Sequence, residues 1–140
     1  MKKLSALFLM IVFIGFSGCS SLSGSNAISM LTGNNWVLSS LMGGELDMSK
    51  FTSGLPTLNF GEGGNLTGYT GCNNFNGDFE FEGGLINLNP GATTKKACPN
   101  GGGETEFLSA LGEVANFRIT KDKLTLLQGA QEIMTFLPQD

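Results

Sequence analysis

Two cysteines, Cys72 and Cys98, bracket the stretch that most limits how this chain can fold. The stretch opens with Gly71-Cys72-Asn73-Asn74-Phe75-Asn76-Gly77 and closes with Thr93-Thr94-Lys95-Lys96-Ala97-Cys98-Pro99. Between them Phe79 and Phe81 alternate with Asp78, Glu80 and Glu82, the cleanest period-2 pattern in the chain. Gly83-Gly84 then turns the chain into a second apolar run, Leu85 to Leu88. The pattern predicts a hairpin whose ends a disulfide could tie. On a strand, Asp78, Glu80 and Glu82 share the face opposite the two phenylalanines, so they read as a solvated acidic stripe. A weak cation site or a surface for a basic partner is the competing reading.

The remaining folded part follows the same style of short apolar segments between Gly and Asn turns. Strands are expected at Trp36 to Ser40, Leu58 to Phe60 after Pro56, Leu66 to Tyr69, Phe117 to Thr120, Leu124 to Leu127 and Glu132 to Leu137. One helix is expected from Glu104 to Asn116, with Phe107, Leu111, Val114 and Ala115 on one face and Leu108 beside them. Glu104 and Glu106 occupy its first turn, where the helix dipole favours negative charge by about 0.3–1 kcal/mol. Gly112 inside it costs about 1 kcal/mol against Ala, which suggests close packing on the sheet. The expected fold is mainly β with one helix (α+β): a small antiparallel, partly closed barrel or curved sheet with the helix packed at one end.

This set of residues, in this order, resembles the META domain, the family of the heat-inducible HslJ lipoproteins. The resemblance rests on Trp36-Val37-Leu38, Leu58-Asn59-Phe60, the Gly-Cys-Asn-x-Phe-x-Gly run (Gly71, Cys72, Asn73, Phe75, Gly77), Thr94 to Cys98 with Ala97 between, Glu106-Phe107-Leu108, and Leu124-Thr125-Leu126. It implies a small, mostly β domain with one helix and no established enzyme activity. It also implies an association with heat stress, novobiocin tolerance and, in a protozoan relative, virulence.

The start of the chain reads as an export signal. Lys2 and Lys3 precede an apolar run from Leu4 to Phe16, too short for the about 17–25 residues that cross a bilayer. A buried hydrophobic helix is the alternative. Phe16-Ser17-Gly18-Cys19 resembles a bacterial lipobox, with Phe where Leu is usual; an ordinary secretion signal with a stray cysteine is its competitor. The lipobox resemblance implies cleavage before Cys19 and a lipid carrying three acyl chains of the palmitate type on that residue. Ser20 after the cysteine then favours the outer membrane, facing the periplasm. The expected division is a signal peptide over 1–18, a lipidated flexible tether over 19–30 and one domain over 31–138.

Lipidation of Cys19 leaves Cys72 and Cys98 as a pair, best read in an exported protein as a structural disulfide. Free thiols, or metal or redox chemistry, are the other possibilities, although no Cys-x-x-Cys is present. The chain has no histidine, which removes the usual general base and makes zinc a poor fit. No Walker loop, dinucleotide glycines or Gly-x-Ser-x-Gly elbow occurs. No cofactor or metal is expected. Without Lys2 and Lys3 the eight basic residues fall to six against twelve acidic ones, which disfavours nucleic acid. Asn73, Asn74 and Asn76 read as Asx-type turn residues, and Lys95 and Lys96 as surface lysines with anion binding as the alternative. The eleven phenylalanines and Trp36 supply core or line an apolar cavity.

Three functions fit. The first is a non-enzymatic envelope lipoprotein that acts through contacts with other envelope components. The second is a carrier of a lipid or small hydrophobic ligand within the barrel. The third is a pilot-like chaperone of an outer-membrane component. The sequence marks no strand as a bare edge, so no oligomer is inferred.

Overall fold

A computed structural model describes residues 24–99 and 103–139. The signal segment, Cys19 and Gly101-Gly102 lie outside them. The described chain runs α1 (Gly24–Thr32), β1 (Asn35–Leu41), β2 (Gly44–Glu45), β3 (Thr57–Phe60), β4 (Asn65–Tyr69), β5 (Asn74–Glu82), β6 (Leu85–Thr93), α2 (Gly103–Glu113), β7 (Asn116–Thr120), β8 (Lys123–Gln128) and β9 (Gln131–Pro138). Short 3-10 turns interrupt it at Met48–Lys50 and Glu62–Gly64.

The strands form one antiparallel sheet in the order β6-β5-β4-β3-β1-β9-β8-β7, with the two-residue β2 hanging off β1. Consecutive strands pair along most of it because turns such as Gly83-Gly84 and Gly129-Ala130 are short. The join between the two halves is the exception. There β1 pairs with β9, setting Leu38 opposite Phe136, and Ser39 is squeezed out of register as a bulge. Its hydroxyl bonds the Thr135 hydroxyl at 3.0 Å.

The sheet curves without closing. Its edge strands β6 and β7 do not pair, but they meet at one point, where the Ile86 N–H donates to the Ala115 carbonyl at 2.9 Å just before β7 begins. The concave side is filled rather than hollow. Trp36, Leu58, Phe60, Leu66, Phe136 and Leu126 are among the side chains wholly removed from water there. Phe79 and Phe60 meet edge to face at 5.1 Å between ring centres, the geometry that ring quadrupoles favour.

The expected helix is α2, three residues shorter at its C-terminal end than the sequence pattern suggested. It buries Phe107, Ala110 and Leu111 and touches both β6 and β9, strands that are not neighbours, so it crosses the gap in the sheet. Gly112 is not a close-packing glycine: an added Cβ would meet nothing within 4 Å. The small residue that does pack is Ala110, one turn after Phe107.

The second helix corrects the sequence reading. The sequence predicts a flexible tether over residues 19–30, yet from Gly24 onward the chain is helical. Helix α1 touches β3 and β7, again non-neighbours, and drives Leu31 wholly into the core. The Trp36 indole N–H then donates to the Leu31 carbonyl at 2.9 Å, pinning the end of α1 to the start of β1. Gly-Ser-Asn at its start carries little helix propensity. Its stability comes from tertiary packing of Ala27, Met30 and Leu31, which a nine-residue window barely signals. A helix therefore covers each end of the sheet. Phe75 meets Phe107 of α2 at one end, and Phe81, six residues or about 20 Å further along β5, meets Phe117 near α1 at the other.

Candidate functional site

The segment richest in recognisable residues folds into one polar knot. Cys72 and Cys98 are joined by a disulfide, with Cα atoms 5.7 Å apart. The preceding Thr70 is wholly buried and closes a tight turn: its hydroxyl accepts the Asn73 N–H at 2.9 Å and donates to the Glu104 carboxylate. Asn73 lies at the centre. Its amide nitrogen donates to the Lys96 carbonyl at 3.1 Å and to Glu104 at 3.0 Å. Its amide oxygen accepts the Thr94 hydroxyl at 2.9 Å and the Lys96 N–H at 2.7 Å. Two donors and two lone pairs are thus all used. Asn73 is not the Asx-turn residue expected from sequence; it ties the β4–β5 turn, the segment after β6 and the first turn of α2 to one another.

Both motif glycines answer a close approach. Gly71 sits at φ +94°, and a Cβ there would come within 2.6 Å of the Phe51 ring. Gly77 lies where the backbone of β6 crosses β5, and a Cβ would run into the Asn89 carbonyl. Phe75 is buried against Phe107. Thr94 accepts the Asn74 N–H at 3.1 Å and so fastens the two sides of the hairpin. Ala97 is exposed and takes no part in the knot.

The other candidates lie apart. Asp78, Glu80 and Glu82 line the outer face of β5, exposed as expected, with Asp78 accepting the Asn89 amide at 3.2 Å. Asn74, Asn76, Lys95 and Lys96 are exposed, and the lysine that matters to the knot contributes its backbone rather than its ammonium. Three residues that shape the knot are not legible as partners in the sequence. Thr70 and Phe51 carry no sequence signal. Glu104 stood in a helix first turn, but nothing in the sequence pointed it at Asn73.

Chemically the knot is closed. The sulfur atoms of Cys72 and Cys98 and a Glu104 oxygen lie within 4.8 Å of one another, a spacing a metal could use. Sulfurs bonded to each other are not thiolates, however, and three ligands fall short of a closed zinc site. Outside the knot, an apolar groove of about 460 Å³ lies at the α1 end, where Ala27 and Ile28 of α1, Phe81 of β5 and Phe117 and Ile119 of β7 converge. Beside it the Arg118 guanidinium is paired with Glu132 at 3.3 Å.

With this geometry in place, the comparisons with known proteins are decisive for family. The META domain matches residues 29–140, from within α1 to the end of the chain. The chain belongs to the META-domain family. The domain so defined takes in the last turn of α1 as well as the knot. Solved structures of similar fold include a protein solved by NMR, 26% identical with a TM-score of 0.58, covering 79% of this chain and 92% of that one. A crystal structure of a DUF4847 family protein from Bacteroides vulgatus is 17% identical with a TM-score of 0.60, covering 81% and 99%. An NMR structure of a protein from Burkholderia xenovorans is 22% identical with a TM-score of 0.62, covering 81% and 87%. The last two likenesses speak for the fold alone. No curated protein matches the chain in sequence.

Proposed function

We propose that this META domain is the non-enzymatic, binding portion of a bacterial envelope lipoprotein, held at the outer membrane through lipidated Cys19. One observation carries the non-catalytic part: the knot built by the family motif uses the polar capacity of Asn73 on the protein itself. A reactive centre keeps a nucleophile or base free to meet substrate; here the motif residues act as a frame that holds β5, β6 and α2 in place. Localisation rests on the lysine-flanked apolar run and Phe16-Ser17-Gly18-Cys19. The resemblance to the HslJ lipoproteins supports a role in heat or antibiotic stress, exercised through contact with other envelope components.

Photo-crosslinkers placed on the exposed surface of the chain in its own envelope test the contact reading. A defined, reproducible adduct with an envelope component is expected, and repeated recovery of none removes the reading. The carrier alternative retains one favourable observation, the groove beside α1, since large side chains fill the concave interior. Native mass spectrometry of gently purified protein separates the two: a bound mass that leaves on denaturation supports a carrier, and a bare chain argues against it.

A further inference from the structure

The geometry points to the α1 end of the domain, with its apolar groove, as the face that rests on the lipid bilayer. This rests on the reading of Cys19 as the lipidated residue. Gly24 itself lines the groove, and Cys19 lies only five positions earlier. Five residues span at most about 18 Å when fully extended, so a lipid on Cys19 cannot lie further than that from the groove rim. The bilayer surface is therefore beside this end of the molecule, whatever path the intervening residues take.

The side chains at that end suit such a neighbour. Ile28 on α1 and Phe81 on β5 are each 40% exposed. They belong to separate elements yet line one groove together with Phe117 and Ile119 of β7. Phe81 continues a line of rings, with Phe79 at 5.6 Å and Phe117 at 5.8 Å, that leads outward from the core. A soluble surface gains nothing from this arrangement, whereas an interfacial one buries it among acyl chains. Charge does not supply the attraction. Arg118 at the rim is already paired with Glu132, and the chain is acidic overall. The contact is apolar, so it should survive high salt, unlike a basic patch on anionic headgroups.

The test uses mature protein from the envelope, reconstituted in phosphatidylethanolamine–phosphatidylglycerol vesicles whose acyl chains are brominated near the headgroup. Phe81→Trp and Ile28→Trp report on the proposed face, and Met48→Trp, beside β1 and β9 across the sheet from the open seam, is the control. The native Trp36 is buried and contributes the same background to each. Interfacial side chains sit about 5–10 Å into the headgroup boundary, so bromine should quench the two face reporters at least about twofold more than the control, with or without salt. Equal quenching of face and control overturns the proposal. So does a dimer on sedimentation with the face reporters unquenched, which would give the groove to a second copy of the chain. Mass spectrometry of the N-terminal peptide checks lipidation separately. If Cys19 is found unacylated, the lipidation reading fails, and coupling its thiol to a maleimide lipid in the same vesicles still tests the face.

Discussion

At the scale of single residues, Asn73 is the position on which the knot depends. Its four bonds tie its own turn to two other segments of chain, and one of them ends on the Glu104 carboxylate, where a hydrogen bond is stronger. Asn73→Ala should destabilise the fold by about 2–4 kcal/mol in urea denaturation, because it takes away both side-chain bonds to the Lys96 backbone and one bond each from Thr94 and Glu104 in a partly buried site. Asn73→Asp keeps the shape but sets a second carboxyl against Glu104. Like charge and burial raise the folded-state pKa of that introduced Asp above its unfolded value of about 3.9. Between those two values the folded state holds the extra proton, so stability must fall as pH rises through the folded pKa. The variant should therefore approach the wild type in acid and diverge from it near neutrality; an offset that does not change with pH would show that the carboxyl escapes to solvent. Gly112 gives the opposite expectation. With open space around an added Cβ, Gly112→Ala should stabilise by about 0.5–1 kcal/mol, read from the same denaturation midpoint. This difference is not legible in the residues around Gly112. Gly112 invited a packing explanation because it sits inside an amphipathic run, and only the geometry shows which side of the helix it faces.

At the scale of elements, the legible parts were those with a local code. The Phe79/Phe81 alternation, the Gly83-Gly84 turn and the terminal β7–β8–β9 meander each carry their signal within a few residues, and each lies where the pattern placed it. The end covers are different in kind. Helix α1 exists because it packs on β3 and β7 with Leu31 wholly buried in the core, and no property of Gly24–Thr32 by itself announces those partners. Its removal makes a clean test. A chain beginning at Gly33 should be less stable than one beginning at Gly24 by about 2–5 kcal/mol, the cost of losing one well-buried Leu plus its cavity. Trp36 would lose its hydrogen-bond acceptor and shift its fluorescence to the red. Equal stability of the two chains would return the segment to the status of a tether. The Glu104 connection was illegible for the same reason: the helix pattern fixed its position in a first turn, but which turn of the sheet it faces is a tertiary fact.

At the scale of the whole molecule, two devices close the chain on itself, and they should respond differently to loss of the disulfide. One is the β1–β9 pairing, which joins residues about a hundred positions apart and is extended by the Gln139 N–H bond to the Asn35 carbonyl at 2.8 Å. The other is the single Ile86–Ala115 bond across the open seam. Replacing Cys72 and Cys98 by Ala frees a loop of 26 positions, and the chain-entropy model puts the loss at about 3.5 kcal/mol, acting chiefly through the unfolded state. The knot still holds its hydrogen bonds, so the native sheet should persist. Amides deep in the sheet that exchange only through global unfolding, such as those of Phe136 and of Leu38, which donates to the Pro56 carbonyl at 2.9 Å, should then lose protection by the full amount. The Ile86 amide, on an edge strand with one cross-seam bond, should exchange by local opening and lose much less. Hydrogen exchange resolved by residue separates these cases. Were Ile86 to fall as far as Phe136, the seam would open only with the whole sheet, and the domain would behave as a closed barrel despite its unpaired edge strands.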